Sequence, residues 1–237
     1  MFKSGFIAIA GRPNVGKSTL LNAILGEKVA ITSSKPQTTR NRITGIRNFE
    51  DGQFIFLDTP GIHRAKTPLN RFMVKAATST FGEVDLILFL IEADRGYDAD
   101  DGLIIESLRE AGVPVFLVIN KIDLVAKPKL LPLIDRFRGL HDFREIVPVS
   151  AAIGDGVDRL LELIREVLPE GPKFFPDDMF TDNSERFIAA EIVREKILLL
   201  TQREIPYATA VTVDSFKEDE EKNLIRIAAT ITVEKDS

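Results

Sequence analysis

Over its first 170 or so residues the chain alternates short, nearly unbroken apolar runs with segments whose apolar residues recur at helical spacing. The strand candidates are residues 6–10, 43–49, 54–57, 84–91, 113–119 and 145–149. The second and third are joined by Glu50-Asp51-Gly52, where Asp-Gly suggests a hairpin, so one strand is expected antiparallel at a sheet edge. The remaining strands are apolar on both faces, as strands covered on both sides must be. Helical spacing follows in residues 19–25, 69–79, 100–111, 130–140 and 157–168. The pattern predicts an α/β fold, a doubly wound, six-stranded and mostly parallel sheet, with its ligand at the carboxyl ends of the parallel strands.

The alternation stops at residues 169–178, which hold Pro169, Pro172, Pro176 and Gly171 and read as a linker. Beyond it, Ser184-Glu185 starts a helix with apolar positions at Phe187, Ile188, Ile192, Val193, Ile197 and Leu200. Two strand-like runs, 207–216 and 224–233, flank the acidic tip 217–222, whose plain reading is a solvated turn. The expected division is 1–170, a linker at 171–183, and a small α+β unit at 184–237, marginal in size for independent folding.

Candidate chemistry starts at Gly11-Arg12-Pro13-Asn14-Val15-Gly16-Lys17-Ser18-Thr19, which fits G-x-x-x-x-G-K-[ST] between a strand and a helix. Glycines let the backbone curl so that successive N–H groups face one anion, and the helix adds its positive end. Lys17 is then expected at the β- and γ-phosphates and Ser18 on Mg²⁺. Such a loop suits ATPases, kinases and GTPases alike. Asn120-Lys121-Ile122-Asp123 chooses among them. A carboxylate at Asp123 accepts from the N1–H and amine of guanine, a donor pair adenine lacks. Asn120 is expected to tie the loop together and the Lys121 stem to cover the base. Ser150-Ala151-Ala152 follows the last strand and fits a backbone contact to the guanine keto oxygen.

Asp58-Thr59-Pro60-Gly61-Ile62 ends an apolar strand, which suits Asp58 to hold Mg²⁺ through water and the Gly61 N–H to meet the γ-phosphate. In the polar loop 32–40, Thr39, ahead of Thr38, is the expected metal ligand that closes over Mg²⁺ in the GTP state. Ile62 stands where many small GTPases place a water-orienting glutamine, so hydrolysis must rest on backbone, metal or partner. His63 as a base is the weaker alternative to a plain surface histidine. The catalytic candidates are therefore Lys17, Thr39 and Gly61, to which the resemblance below adds Asn14, and the metal set is Ser18, Thr39 and Asp58.

Composition narrows the picture only a little. The formal net charge of −5 gives no bulk support for nucleic-acid binding, and zero cysteines exclude disulfides and thiolate metal sites. No apolar run approaches the ~20 residues that span a bilayer, and the N-terminus lacks a signal-peptide core, so a cytoplasmic location is expected. Lys28, Lys35, Arg40, Arg42, Arg47, Arg64, Lys66 and Arg71 gather around the two mobile-loop candidates, either as solvated charges or as a partner-binding face.

Taken together, G-R-P-N-V-G-K-S-T, Q-T-T-R, D-T-P-G-I-H and N-K-I-D resemble the Era family of ribosome-assembly GTPases. So do Phe187 to Lys196 and Glu204-Ile205-Pro206-Tyr207, which favour that family over relatives sharing the nucleotide motifs. The resemblance implies GTP and GDP as ligands, with Mg²⁺. In related P-N-x-G-K-S loops the asparagine helps to bind K⁺, which implies the same for Asn14. It also implies a type II KH-like RNA-binding unit, with the 3′ end of 16S rRNA and the 30S subunit as partners. Peripheral contact with the inner membrane, and pairing of an otherwise monomeric chain through an exposed edge, are further expectations. The family's G-x-x-G loop has no counterpart after residue 180, and residues 182–236 hold twelve Asp/Glu against eight Lys/Arg. The KH-like unit is thus expected to be incomplete, truncated before that loop. A non-catalytic, GTP-gated binding module for ribosome or membrane, and a GTPase of tRNA modification, are the other readings.

Overall fold

A computed structural model describes residues 1–33, 38–64, 74, 75, 77–201 and 209–234. Six strands form the main sheet: β1 (Lys3–Gly11), β2 (Ile43–Phe49), β3 (Gly52–Asp58), β4 (Leu86–Glu92), β5 (Val115–Asn120) and β6 (Glu145–Pro148). Their order is β2-β3-β1-β4-β5-β6, with only the edge strand β2 antiparallel to its neighbour. This is the fold class expected from the alternation. Successive residues of β1 serve opposite faces: Ile7 and Ile9 enter one hydrophobic core, Ala8 and Ala10 the other. Each core packs on one face of the sheet, so β3, β4 and β5 are buried along their whole length.

The helices with full bounds among the described residues of this unit are α1 (Lys17–Leu25), α2 (Ala99–Ala111), α3 (Leu130–Arg138) and α4 (Val157–Val167). The helix expected at 69–79 is described only at 74, 75 and 77–79, which are helical; the rest of it lies outside the described residues. The parallel strands β1, β3, β4 and β5 end together, at Gly11, Asp58, Glu92 and Asn120, and so deliver four loops to one rim.

Residues 169–183 are no loose tether. The Ser4 N–H donates to the Pro169 carbonyl, and the Gly171 N–H to that of Phe2. The buried Gln53 side chain accepts from the Phe174 and Phe175 amides and donates back to the Phe175 carbonyl. Further on, the Ile46 N–H donates to the Phe180 carbonyl, so the strap runs along the outer side of β2 and blunts an open edge.

The chain then enters α5 (Glu185–Leu200), capped by Ser184, whose side chain accepts from the Phe187 N–H at 3.3 Å. A hairpin follows, β7 (Thr209–Asp219) and β8 (Leu224–Val233), bulged between Val213 and Ser215. Residues 207 and 208 of the expected first strand, and the block 204–207, lie outside the described residues. All ten residues of β8 are exposed. The acidic tip turns through a short 3₁₀ segment at Glu220–Lys222, closed by Asp219 accepting from the Lys222 N–H.

Candidate active site

The loop between β1 and α1 has no freedom to carry other residues at two of its glycines. A Cβ on Gly16 (φ 99°) would lie 2.2 Å from Asn120 Nδ2, and one on Gly11 would lie 2.6 Å from the Leu90 carbonyl oxygen. No side chain caps the first amides of α1, whereas α2 is closed by a capping box between Asp98 and Asp101. The open amides of α1 are therefore presented to an anion. Val15 is fully buried in the core and anchors the loop from beneath. Arg12 turns its side chain away, to Asp101 (2.8 Å) and Asp98 (3.8 Å), so only its backbone belongs to the loop's concave side.

Lys17 is 6% exposed and donates to the carbonyls of Gly11 (3.2 Å) and Arg12 (2.9 Å). Burial pulls its pKa down to about 8, against the opposing pull of Asp58 and Glu92. Three oxygen-bearing side chains from three segments meet next to it. Ser18 Oγ donates to Asp58 Oδ2 at 2.6 Å and lies 3.0 Å from Thr39 Oγ1, which is itself 3.5 Å from the same carboxylate oxygen. Asp58 is completely buried, and burial raises its pKa to about 6 despite Lys17 and the two hydroxyls. Its Oδ1 makes no hydrogen bond. A buried carboxylate oxygen without a partner, beside two hydroxyls, is a donor set that fits a hard divalent cation.

The segment after β3 is fixed by its own contacts. Thr59 Oγ1 donates to the Ile9 carbonyl at 2.8 Å, and the Ile62 N–H to that of Gly11 at 3.1 Å. Pro60 is buried, and a Cβ on Gly61 would strike Pro13 at 2.7 Å. The Ile62 side chain enters the core, consistent with its lack of any role in holding water. His63 Nδ1 pairs with the Gly61 carbonyl at 3.0 Å, a local contact within its own loop.

At the other end of the rim, Asn120 joins three loops. Its Nδ2 donates to the Val15 carbonyl (2.8 Å) and its Oδ1 accepts from the Ala151 N–H (3.0 Å). Lys121 donates to the Asn14 carbonyl at 2.8 Å and forms a short ion pair with Glu92. Asp123 Oδ1 accepts from Ser150 Oγ at 2.6 Å, which orients the carboxylate and leaves its other oxygen outward. Of the three residues expected at the base, Ser150 and Ala151 have their amides engaged within the protein, with the Asp155 carbonyl and Asn120, which leaves the Ala152 amide. Ile122 continues the turn, its N–H donating to the Val149 carbonyl.

A cavity of about 550 Å³ lies over these groups, walled by the phosphate-loop residues, Thr38, Thr39, Gly61, Glu92 and Lys121. Its far wall includes Leu199 of α5. Asp123, Ser150 and Ala152 stand outside it, so the base end is the more open one.

Three residues that sequence reasoning passed over belong to this region. Glu92 ends β4, and an acid closing an apolar strand was the available signal. Arg194 and Glu195 lie in α5, which buries Glu191, Arg194, Glu195 and Leu198, while Ile192, Leu199 and Leu200 of its apolar set are exposed. Arg194 forms a buried pair with Glu191 and a short hydrogen bond to the Thr38 carbonyl. Glu195 accepts from the Thr32 N–H (3.1 Å) and pairs with Lys28 (2.6 Å). Among the described residues of the basic cluster, Arg42 is exposed and four others are engaged inside the chain. Lys28 meets Glu195, Arg40 donates to the Thr209 carbonyl, Arg47 to that of Leu25, and Arg64 faces Asp100 at 4.0 Å. Lys35, Lys66 and Arg71 lie outside the described residues.

Residues 6–121 match the family model described as 50S ribosome-binding GTPase. GTPase Era of Syntrophus aciditrophicus is 64% identical over the whole chain, which spans 78% of that relative. A crystal structure of Era in complex with MgGDPNP and nucleotides 1506–1542 of 16S ribosomal RNA superposes with a TM-score of 0.95 at 44% identity, covering 100% of this chain and 80% of that one. A variant of Aquifex aeolicus Era bound to GDP·AlF4⁻ gives 0.94 at 44% identity, covering 99% of this chain and 80% of the other. The nucleotide motifs, the sheet that gathers them on one rim, the charged helix against the Thr32–Arg40 loop and this full-length similarity agree: the chain belongs to the Era family of GTPases.

Proposed function

We propose that this chain binds GTP across the rim of the sheet, hydrolyses it slowly to GDP and phosphate, and acts as a switch in small-subunit assembly. Support comes above all from one observation: Ser18, Thr39 and Asp58 converge within hydrogen-bond distance beside buried Lys17, although they lie in three separate segments. Gly11 to Thr19 cradle the phosphates, Asn120 holds the base loop to the phosphate loop, and Asp123 with the Ala152 amide reads guanine. Ser18 and Asp58, with Thr39 in the GTP state, hold Mg²⁺, which neutralises charge developing on the β- and γ-oxygens when bound. Lys17 adds a fixed positive charge, and the Gly61 N–H faces the γ-phosphate. With Ile62 buried, hydrolysis rests on backbone groups, metal ions or a partner. Asn14 (φ 66°) sits in the left-handed conformation, and K⁺ at that turn is the finer reading; equal single-turnover rates in KCl and NaCl would remove it.

Residues 1–170 form the GTPase domain, 171–183 its strap, and 184–237 part of a type II KH-like domain. The RNA partner follows from the relative crystallised with 16S rRNA, a small-subunit RNA. The family model's large-subunit description covers only the nucleotide-binding part and does not address that partner. Arg194 on the Thr38 carbonyl gives the second unit direct contact with the residue before Thr39. Contact with a membrane surface, and pairing of two copies along β8, are finer possibilities for the same exposed faces.

Base recognition is tested with Asp123→Asn. The unaltered chain binds GTP over XTP, and the variant reverses that order, because an amide donates where the carboxylate accepted. Unchanged preference in the variant refutes the guanine assignment. RNA coupling is tested by titrating the 3′-terminal segment of 16S rRNA against the chain with GDP or a non-hydrolysable GTP analogue; equal affinity in both states argues against a switch.

A further inference from the structure

Glu92 is the one acidic side chain in the wall of the nucleotide cavity among the described residues. It is 1% exposed, in a place where an unpaired carboxylate is strongly unfavourable. Its position is fixed by the sheet: Glu92 stands opposite Asn120 in the β4–β5 register, and the next amide, Ala93 N–H, donates to the Asn120 carbonyl at 2.9 Å. Its Oε1 takes the Lys121 ammonium in a short ion pair. Its Oε2 makes no hydrogen bond and meets Arg95 Nε at 3.4 Å.

Lys121 is held at both ends. Its backbone is left-handed (φ 63°), an unfavourable conformation for a residue with a Cβ, and its ammonium is fixed between Glu92 and the Asn14 carbonyl. Asn14 is left-handed as well. Without Glu92 the ammonium would retain one neutral acceptor and a route to solvent, since the Lys121 side chain is 30% exposed. A free lysine head would carry its methylenes away from the rim.

We propose that Glu92 is a positioning residue for base recognition: it holds the Lys121 ammonium between the β4 end and the phosphate loop, so that the lysine stem forms one wall of the guanine slot. This rests on the guanine-site reading above. The effect of Glu92 is passed through Lys121 and falls on the base, common to GTP and GDP.

The test is a double-mutant cycle in the full chain, with dissociation constants for fluorescent GDP and GTP measured for Glu92→Ala, Glu92→Gln, Lys121→Ala and the double variant. Glu92→Ala weakens GDP and GTP by the same factor, about tenfold, the middle of the range for residues coupled through one contact. Glu92→Gln, which still accepts a hydrogen bond but lacks the charge, loses less. In the Lys121→Ala background, removing Glu92 changes affinity less than about twofold. Melting without nucleotide checks that each variant is folded, and the near-isosteric Glu92→Gln carries the test if the alanine variant is not. A full additional loss in the Lys121→Ala background, or a loss confined to GTP, overturns the inference. Weak binding by Lys121→Ala with unchanged binding by both Glu92 variants overturns it while sparing the guanine site. Unchanged binding by Lys121→Ala overturns the guanine-site reading itself.

Discussion

The six-stranded unit and the helix–hairpin unit solve the burial problem in opposite ways. The first covers both faces of its sheet with apolar side chains and confines charge to one rim, where Lys17, Asp58 and Glu92 are buried around a cavity. The second leaves β8 wholly exposed and meets the first mainly through polar contacts, Arg194 on the Thr38 carbonyl and Glu195 on the Thr32 N–H and Lys28, beside Phe187 packed on the first core. Apolar contacts are non-directional and suit a scaffold that must not move. Paired charges are directional and can be re-paired, which suits a junction beside the segment proposed to close over the nucleotide.

The contrast predicts a graded series of effects. The largest comes from the scaffold: Phe89→Ala empties a fully buried ring position and lowers urea stability by about 3–5 kcal/mol. A loss under about 1 kcal/mol would mean the two apolar cores do not carry the fold. At the rim, Lys17→Ala slows single-turnover GTP hydrolysis by about 10²–10³-fold, as loss of one preorganised charge does elsewhere. Hydrogen exchange over residues 185–200 stays unchanged in that variant, because the attachment of α5 does not pass through Lys17.

The buried rim charges also set a pH dependence. Asp58 has its pKa raised from 3.8 to about 6, so its contribution favours the fold at low pH and is lost as pH rises through about 6. Lys17 is lowered from 10.5 to about 8, so its contribution is present at high pH and is lost as pH falls through about 8. Both groups therefore weigh against the nucleotide-free fold between about pH 6 and 8, each by roughly 3 kcal/mol. Melting midpoints of nucleotide-free protein should dip in that window, and Asp58→Asn should remove the acidic side of the dip. Mg²⁺ with GDP should fill it, since binding favours the charged forms. A flat profile would show that these two groups do not bear the cost of burial assigned to them.

At the junction, Arg194→Ala removes the donor to Thr38 and leaves Glu191 buried without its partner, a local cost of about 2 kcal/mol. Faster amide exchange at Thr39, Arg40 and along α5, with the scaffold's urea midpoint held, is the expected signature. Global unfolding of the six-stranded unit instead would erase the distinction between scaffold and junction. Last and smallest, Ile227→Ala on exposed β8 changes stability within about 0.5 kcal/mol, against the several expected of Phe89.

Much of this was legible in one dimension, for local reasons. Period-two and unbroken apolar runs located all six sheet strands, and the Glu50-Asp51-Gly52 turn identified the antiparallel edge. The phosphate loop needs glycines at fixed steps because backbone approaches backbone there, as the 2.2 Å clash at Gly16 shows. Asn120 was expected to tie loops together, and it does so through both polar atoms of its amide. Less legible was the strap at 169–183, whose prolines read as a linker while its backbone groups pair with Phe2, Ser4, Ile46 and Gln53. Pairings across more than a hundred residues leave no local periodicity.

What the sequence by itself determined was therefore everything fixed by local backbone geometry and by the spacing of short motifs: the strands, the loop between β1 and α1, and the Asn120–Asp123 turn at the end of β5. Only the tertiary structure decided which charges are buried and with whom. Glu92 becomes the partner of Lys121 because β4 and β5 lie side by side, and Arg194 reaches Thr38 because α5 turns its charged stripe inward. A helix with apolar residues on one side and charges on the other reads as apolar-side-in, since burial of charge is unfavourable in isolation. That preference reverses when the facing surface supplies partners at hydrogen-bond distance, and such partners exist only once the chain has folded.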